Sequence, residues 1–229
     1  MPYHSIDEIL RRCRDRACPF WQVVLTTQAK ETQLPESAVL DQMDQMAKAM
    51  EDSITQYDPT AVTTGKMGGQ NGARLAEYNQ KGDTLLGDYL SAVIAAAVQV
   101  AESNACMKRI VAAMAAGGLV YLAGGDNNAI AQGAAMALKN MLGLVCDPVA
   151  GLVETPCIKR NAAGAANAVV AAQMALAGIQ SVIPPDEIID AMYEIGCQLP
   201  ACLRETSQAG LATTPTGQKI AEKLGQNQF

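Results

Sequence analysis

The sequence predicts an all-α chain, a multi-helix single domain whose glycine-rich loops gather at one end. Three observations lead there. No stretch alternates apolar and polar residues as a half-buried strand does. Apolar residues recur instead at three-four spacing behind recognisable helix start signals. The composition is 49% hydrophobic but only 4% aromatic, so the core is built from small side chains, which let helices approach closely. At 229 residues the chain is long enough for one sizeable core, and residues 1–229 are read as one domain.

Taken in order, Ser5 followed by Glu8 is a capping box and predicts a helix over 6–13. Pro19, at a first-turn position, restarts helix toward residue 27. Pro35, Glu36 and Ser37 open a longer amphipathic helix with Val39, Leu40, Met43, Met46, Ala47 and Met50 on one face. Residues 57–72 hold Gly65, Gly68, Gly69 and Gly72 and read as a loop entering a helix at Ala73. Such a loop lets backbone N–H groups approach an anion. It is not a P-loop, because Met67 stands after Gly65-Lys66 where Ser or Thr is needed. A long helix is expected from Asp83 to about Gly117, with Asn104 inside its apolar face. Gly117, Gly118, Gly124 and Gly125 punctuate the next part of the chain, and Asp126 or Asn127 caps a helix that runs through Met141. Residues 162–181 form a charge-free helix closed by Pro184 and Pro185. Residues 161–185 carry no charge at all, but Asn161, Asn167, Gln173 and Gln180 are scattered along them, which fits a buried core helix better than a membrane span. A further helix is expected over 186–195, and a loop over 213–217.

The net charge of −6 excludes a basic nucleic-acid footprint and a polybasic membrane patch. Asp7, Glu8, Arg11 and Arg12 stand where a signal peptide would be apolar. Seven cysteines is an odd number without disulfide-framework spacing, which points to reduced thiols and a cytoplasmic protein. The single His4 lies near a terminus and is a poor catalytic candidate.

The most informative stretch is 146–161, Cys-Asp-Pro-Val-Ala-Gly-Leu-Val-Glu-Thr-Pro-Cys-Ile-Lys-Arg-Asn. Pro148 and Pro156 each remove a backbone donor and fix φ, so this is not continuous helix. Asp147 and Thr155 are pushed toward extended geometry. The result is a stiff loop that holds the Cys146 and Cys157 thiols, with Lys159 and Arg160 close behind. Nearby positive charge stabilises a thiolate or a metal–sulfur group. By spacing alone, two ordinary buried cysteines in a tight turn fit equally well.

The run CDPVAGLVETPCIKRNA closely resembles the signature of the iron–sulfur-dependent L-serine dehydratases (L-serine ammonia-lyases), alpha chain. The resemblance extends over TGKMGGQNGARLAEY, GDTLLGDYL, NACMKRIVAA, ALKNMLGLV and LRETSQAGLATTPTG, and so from about residue 63 to 217. It implies elimination of water from L-serine to give pyruvate and ammonia. It also implies a 4Fe-4S cluster held by three protein thiolates, whose open iron acts as a Lewis acid on the serine hydroxyl. Cys146 and Cys157 match two of the cluster ligands, and the third ligand is not identifiable. Thr64, Gly65, Gly68 and Gly69 match the family's substrate loop, and Asn104 and Asn161 its substrate contacts. Lys159 and Asp147 are the candidates for the base. The resemblance further implies a beta chain as partner.

One departure stands out. After residues 110–113 the family continues with a segment that carries its third cluster cysteine, whereas here Met114 follows Ala113 directly. An internal segment is therefore expected to be absent. Cys106 is a conceivable substitute ligand, and Cys13, Cys18, Cys197 and Cys202 read as structural. The alternative reading is a non-catalytic structural or interaction subunit that has lost the ligand segment.

Overall fold

The structure, a computed structural model, describes residues 4–55, 71–81 and 109–225. The expected substrate loop with Thr64, Gly65, Gly68 and Gly69 lies outside the described residues, as do Asn104, Cys106 and the first part of the helix expected from Asp83. Helix α1 (Ile6–Arg16) starts at the anticipated cap, with the Glu8 N–H donating to Ser5 Oγ at 3.0 Å. The return bond is displaced by one residue, because Glu8 Oε2 accepts from the His4 N–H at 3.1 Å instead of from Ser5. The helix closes at Ala17 in the left-handed region. Pro19 is the N-cap of α2 (Phe20–Thr32), with extended backbone, and does not sit inside its first turn. Cys13 is buried with Ile9 and Val23 between these two helices, as expected of a structural cysteine.

Helix α3 (Glu36–Thr55) buries Val39 against Leu25 and Ala29 of α2. Leu40, Met43 and Met46, anticipated on the same buried face, are exposed. Helix α4 (Asn71–Gln80) begins two residues before Ala73.

The core is made by α5 (Arg109–Leu122), α6 (Asn127–Lys139) and α7 (Cys157–Leu176). Ala116, Val120, Ala135, Ala137 and Ala171 are fully buried there, with Met136 filling the space between. Along α5 the buried positions Ala112, Ala113, Ala116 and Val120 keep one face. Gly117 and Gly118 do not end this helix. They lie within it, and a Cβ on Gly117 would meet Ile130 Cγ2 of α6 at 3.4 Å. Small residues here serve the close packing of α5 on α6, and the chain breaks only after Leu122, at Gly124 with φ of +83°.

Asp126 is the cap of α6, its Oδ1 accepting the Ala129 N–H at 2.7 Å. Asn127 does something else. Its Oδ1 accepts the Phe20 N–H at 2.8 Å and its Nδ2 donates to Cys18 O at 3.2 Å, which ties the start of α2 to α6. Helix α8 (Pro185–Gln198) contributes Asp186, whose carboxylate accepts the Ile6 and Asp7 N–H groups at 2.7 and 3.0 Å. An anion at a helix N-terminus is favourable, and this one joins α1 to α8.

Two boundaries differ from expectation in a way that matters for the site. Helix α7 begins at Cys157, not at residue 162, so Lys159, Arg160 and Asn161 lie in its first turns. Pro156 directly precedes the helix, where its missing N–H costs no intrahelical bond. Residues 213–217, expected as loop, contain the start of α9 (Pro215–Lys223), which Thr214 caps by accepting the Gly217 N–H at 3.1 Å. Among the described residues no strand forms beyond an isolated parallel bridge between Cys146 and Arg204, so the fold is all-α. No described helix is long and apolar enough to cross a membrane. Asn167, in the middle of α7, finds its partners inside the fold. Asn167 Nδ2 donates to Ala137 O at 2.8 Å, and Asn140 Nδ2 donates to Asn167 Oδ1 at 2.8 Å.

The junction between α5 and α6 offers a test of this packing. A Cβ on Gly125 would overlap Val120 Cγ1 and lie 3.0 Å from Val120 O. Gly125→Ala is expected to destabilise the domain by about 1–3 kcal/mol, the usual cost of overpacking. Urea unfolding monitored by circular dichroism measures this, and an unchanged midpoint would contradict the tight contact.

Candidate functional site

The chain leaves α6 through Gly143, at φ +69°, and enters the loop that carries Cys146. That loop is paired with a strap, residues 203–211, from the other side of the sequence. The Cys146 N–H donates to Leu203 O at 2.9 Å, and the Glu205 N–H donates to Cys146 O at 2.7 Å. Ser207 Oγ donates to Pro148 O at 2.6 Å. Between Pro148 and the Cys157 end of the loop, the Val149 N–H donates to Thr155 O at 2.9 Å. The two prolines thus shape a loop whose backbone groups are satisfied by the strap and by the loop itself.

Asp147 is the centre of this arrangement. Its side chain is only 2% exposed, and both carboxylate oxygens are engaged. Arg160 Nη1 donates to Asp147 Oδ1 at 2.8 Å, and the Leu211 N–H donates to Oδ2 at 2.7 Å. The same Arg160 nitrogen donates to Val145 O at 2.9 Å. Arg160 is one turn along α7 from Cys157, and Asp147 is adjacent to Cys146, so one ion pair fixes the two cysteine-bearing segments to each other. Gly210 is required for it. The residue is at φ +63°, and a Cβ there would overlap Asp147 Oδ2.

Cys146, Cys157, Arg160 and Asn161 all line one cavity of about 550 Å³, together with Arg204 and Glu205 of the strap. Most of the remaining wall is apolar, with Met141, Leu144, Val153 and Leu203 prominent. Asn161 is 9% exposed, and its amide has no hydrogen-bond partner among the described residues. A buried, unsatisfied amide on a cavity wall is costly unless a ligand or water satisfies it. Burial pushes the Cys157 thiol above its ordinary pKa, and the neighbouring Cys146 and the Glu205 carboxylate act in the same direction, while Arg160 opposes them. Burial is the largest of these effects.

Of the residues anticipated from the sequence, Cys146, Cys157, Asp147 and Asn161 are brought together. Lys159 is exposed and stands off the cavity wall. Cys197 is exposed, and its neighbour Gly196 reaches the cavity instead. Among the described residues no three His, Cys, Asp or Glu side chains converge as a metal site. Arg204 and Glu205 were not anticipated as site residues. Glu205 lies at φ +65° and Ser207 at +58°, while Ala150, in the opposing loop, is at +54°. Left-handed backbone costs about 1 kcal/mol or more for each non-glycine residue and concentrates at functional sites. No pattern in the sequence announces it.

An all-α protein presenting two thiols and an unsatisfied amide to one apolar cavity defines a class: a helical domain with a thiol-lined ligand site. Comparison with known proteins makes this particular. The family profile described as Serine dehydratase alpha chain matches residues 15–113 and 111–212. The chain is 63% identical over 111 residues to the probable L-serine dehydratase, alpha chain, of Bacillus subtilis (strain 168), covering 48% of this chain and 37% of that relative. It is 58% identical over 112 residues to the corresponding probable alpha chain of Latilactobacillus sakei, covering 49% and 53%. These two matches thus span about half or less of the relatives' length. The L-serine dehydratase, alpha chain, of Peptoniphilus asaccharolyticus is 31% identical over 277 aligned positions, covering 93% of this chain and 95% of the relative. This chain belongs to the serine dehydratase alpha chain family. The two profile matches meet at 111–113, inside α5. The 277 aligned positions exceed the 229 residues present, so the Peptoniphilus chain carries residues with no counterpart here.

Two outcomes test the site geometry. Asp147→Ala strands Arg160 and the Leu211 N–H together, and is expected to cost about 3 kcal/mol in urea unfolding; a loss below about 1 kcal/mol would contradict the clamp. Alkylation of Cys157 by iodoacetamide is expected to be slower than that of exposed Cys197 at neutral pH. Because burial raises its pKa, the rate should go on climbing with pH beyond the range where an ordinary thiol has levelled off. Peptide mapping of the labelled sites reads both rates, and a plateau near neutrality would contradict the burial.

Proposed function

We propose that this chain is an L-serine dehydratase alpha chain that eliminates water from L-serine to give pyruvate and ammonia. The observation that carries the reading is the convergence of Cys146, Cys157 and the unsatisfied Asn161 amide on one cavity. The function by which the family relatives are named, L-serine dehydratase, supports it.

An iron–sulfur cluster suits this donor set in kind, since thiolates are the soft ligands that iron–sulfur groups take. The set falls short in number, because the described residues supply no third ligand beside the two cysteines. Cys146 and Cys157 are therefore proposed as two ligands of a 4Fe-4S group, a set they do not complete by themselves. The other residues are assigned what their positions support. Asn161 hydrogen-bonds the substrate, and the apolar wall excludes water from it. Asp147, with both oxygens engaged, is a positioning residue in this reading. Lys159, exposed and off the wall, is not adopted as the base. A beta chain as partner and a cytoplasmic location belong to the same proposal.

One observation favours a second reading. The relative aligned over nearly all of this chain has residues without a counterpart here, and the profile matches meet within α5. A chain lacking the third cluster ligand would be a non-catalytic structural or interaction subunit of the same fold.

Iron and acid-labile sulfide, assayed after anaerobic reconstitution, separate the two readings. The enzyme reading expects both, with a broad visible absorbance and pyruvate formed from L-serine. Cys146→Ser and Cys157→Ser should each abolish the absorbance and the pyruvate, because a neutral hydroxyl does not replace a thiolate on iron. Cys197→Ser, at an exposed position, should retain both. Colourless wild-type protein that forms no pyruvate would establish the second reading.

A further inference from the structure

Glu205 combines three features that the fold alone does not require. Its backbone is held at φ +65°, a region that favours glycine, by the 2.7 Å bond from its N–H to Cys146 O. It lines the same cavity as the two thiols, and its carboxylate is close enough to influence the Cys157 thiol. That carboxylate has no hydrogen-bond or ion-pair partner among the described residues, although Arg160 and Arg204 line the same cavity. Arg160 is already committed to Asp147 and Val145 O. The wall therefore presents at one point an exposed carboxylate that no described side chain pairs, with Arg204 on the same wall. At another point it has a buried amide, Asn161, with donor and acceptor both open.

An α-amino acid is the ligand class that meets both. Its ammonium group is a compact cation with three donors, which a carboxylate accepts with a charge-assisted hydrogen bond. Its remaining polar groups match an amide. We propose that Glu205 receives the α-ammonium group of the substrate and so makes this cavity selective for amino acids over hydroxy acids of the same length. The inference rests on the reading of the cavity as an L-serine site, and adds to it the group that recognises the amino end. The left-handed backbone then has a reason. A glycine would adopt it without strain but would leave the ammonium unmet.

The test is titration of the anaerobically purified chain, followed by NMR, with L-serine and in parallel with 3-hydroxypropionate. The latter keeps the hydroxyl and carboxylate and lacks the ammonium. Glu205→Gln is expected to weaken L-serine binding about tenfold or more, the usual weight of a hydrogen bond to a charged group, and to leave 3-hydroxypropionate binding unchanged. Glu205→Gly should lose L-serine affinity to the same degree while its thermal midpoint equals or exceeds that of the wild type. That result separates loss of ligand from loss of fold. L-serine binding to Glu205→Gln at wild-type strength would overturn the proposal, as would equal weakening of both ligands or a loss of bound iron in place of serine affinity. If the wild type itself binds no L-serine, the substrate reading of the site falls and this inference falls with it, a result distinct from failure of Glu205 alone.

Discussion

A single buried carboxylate holds the functional end of this molecule together. Asp147 accepts from Arg160 on the helix that begins with Cys157 and from the Leu211 N–H on the strap that returns from the far end of the sequence. Sequence separations of 13 and 64 residues are closed at one side chain. A charge buried to 2% exposure is tolerable only when it is paired and hydrogen-bonded, so each of these contacts depends on the others. Gly210 is part of the same constraint, since no other residue leaves space beside the carboxylate at that backbone angle. With the clamp in place, the strap satisfies the backbone of the Cys146 loop, and the two thiols come to face one cavity.

Behind that end, the scaffold is rigid for a different reason. The faces joining α5, α6 and α7 are lined with alanine and glycine, so the helices meet closely and buried methyl groups leave few degrees of freedom. Helix α5 is of special interest because the two family matches meet within it. Its buried residues Ala112, Ala113, Ala116 and Val120 hold one helical face across that point, so the core packs without interruption there. The chain can thus carry a complete α5–α6–α7 core whatever the state of its ligand set. Fold and chemistry are separable in this family member, because the core packs without any contribution from the two thiols.

The cavity shows the complementary behaviour. Where the scaffold is satisfied and closely packed, the site has an amide without a partner, an exposed carboxylate without an ion-pair contact and non-glycine residues in left-handed conformations, all among the described residues. Consistency across levels is what makes a sequence specify one structure, and its local failures concentrate where a ligand is expected to complete them.

Much of the scaffold was legible in the residues themselves. Ser5 and Asp126 are caps, and a cap acts over three or four residues of local backbone, so sequence spacing suffices to find it. That Cys146 and Cys157 share one stiff loop was also legible from its two prolines, whereas their reading as one site came from the family resemblance and not from the spacing. Helix boundaries next to proline and glycine were less so. Cys157, not residue 162, starts α7, and Gly117 and Gly118 lie inside α5, because neighbouring helices decide whether a tolerated residue ends an element. What only the tertiary structure decided was the company each side chain keeps. Asp147 could be read as a base until its two oxygens were seen to be occupied by Arg160 and Leu211. Glu205 had no distinction until the strap placed it on the wall of the cavity that Cys157 also lines. Spacing along the chain determines local geometry, but desolvation and hydrogen-bond satisfaction depend on residues far away in sequence, which no local pattern contains.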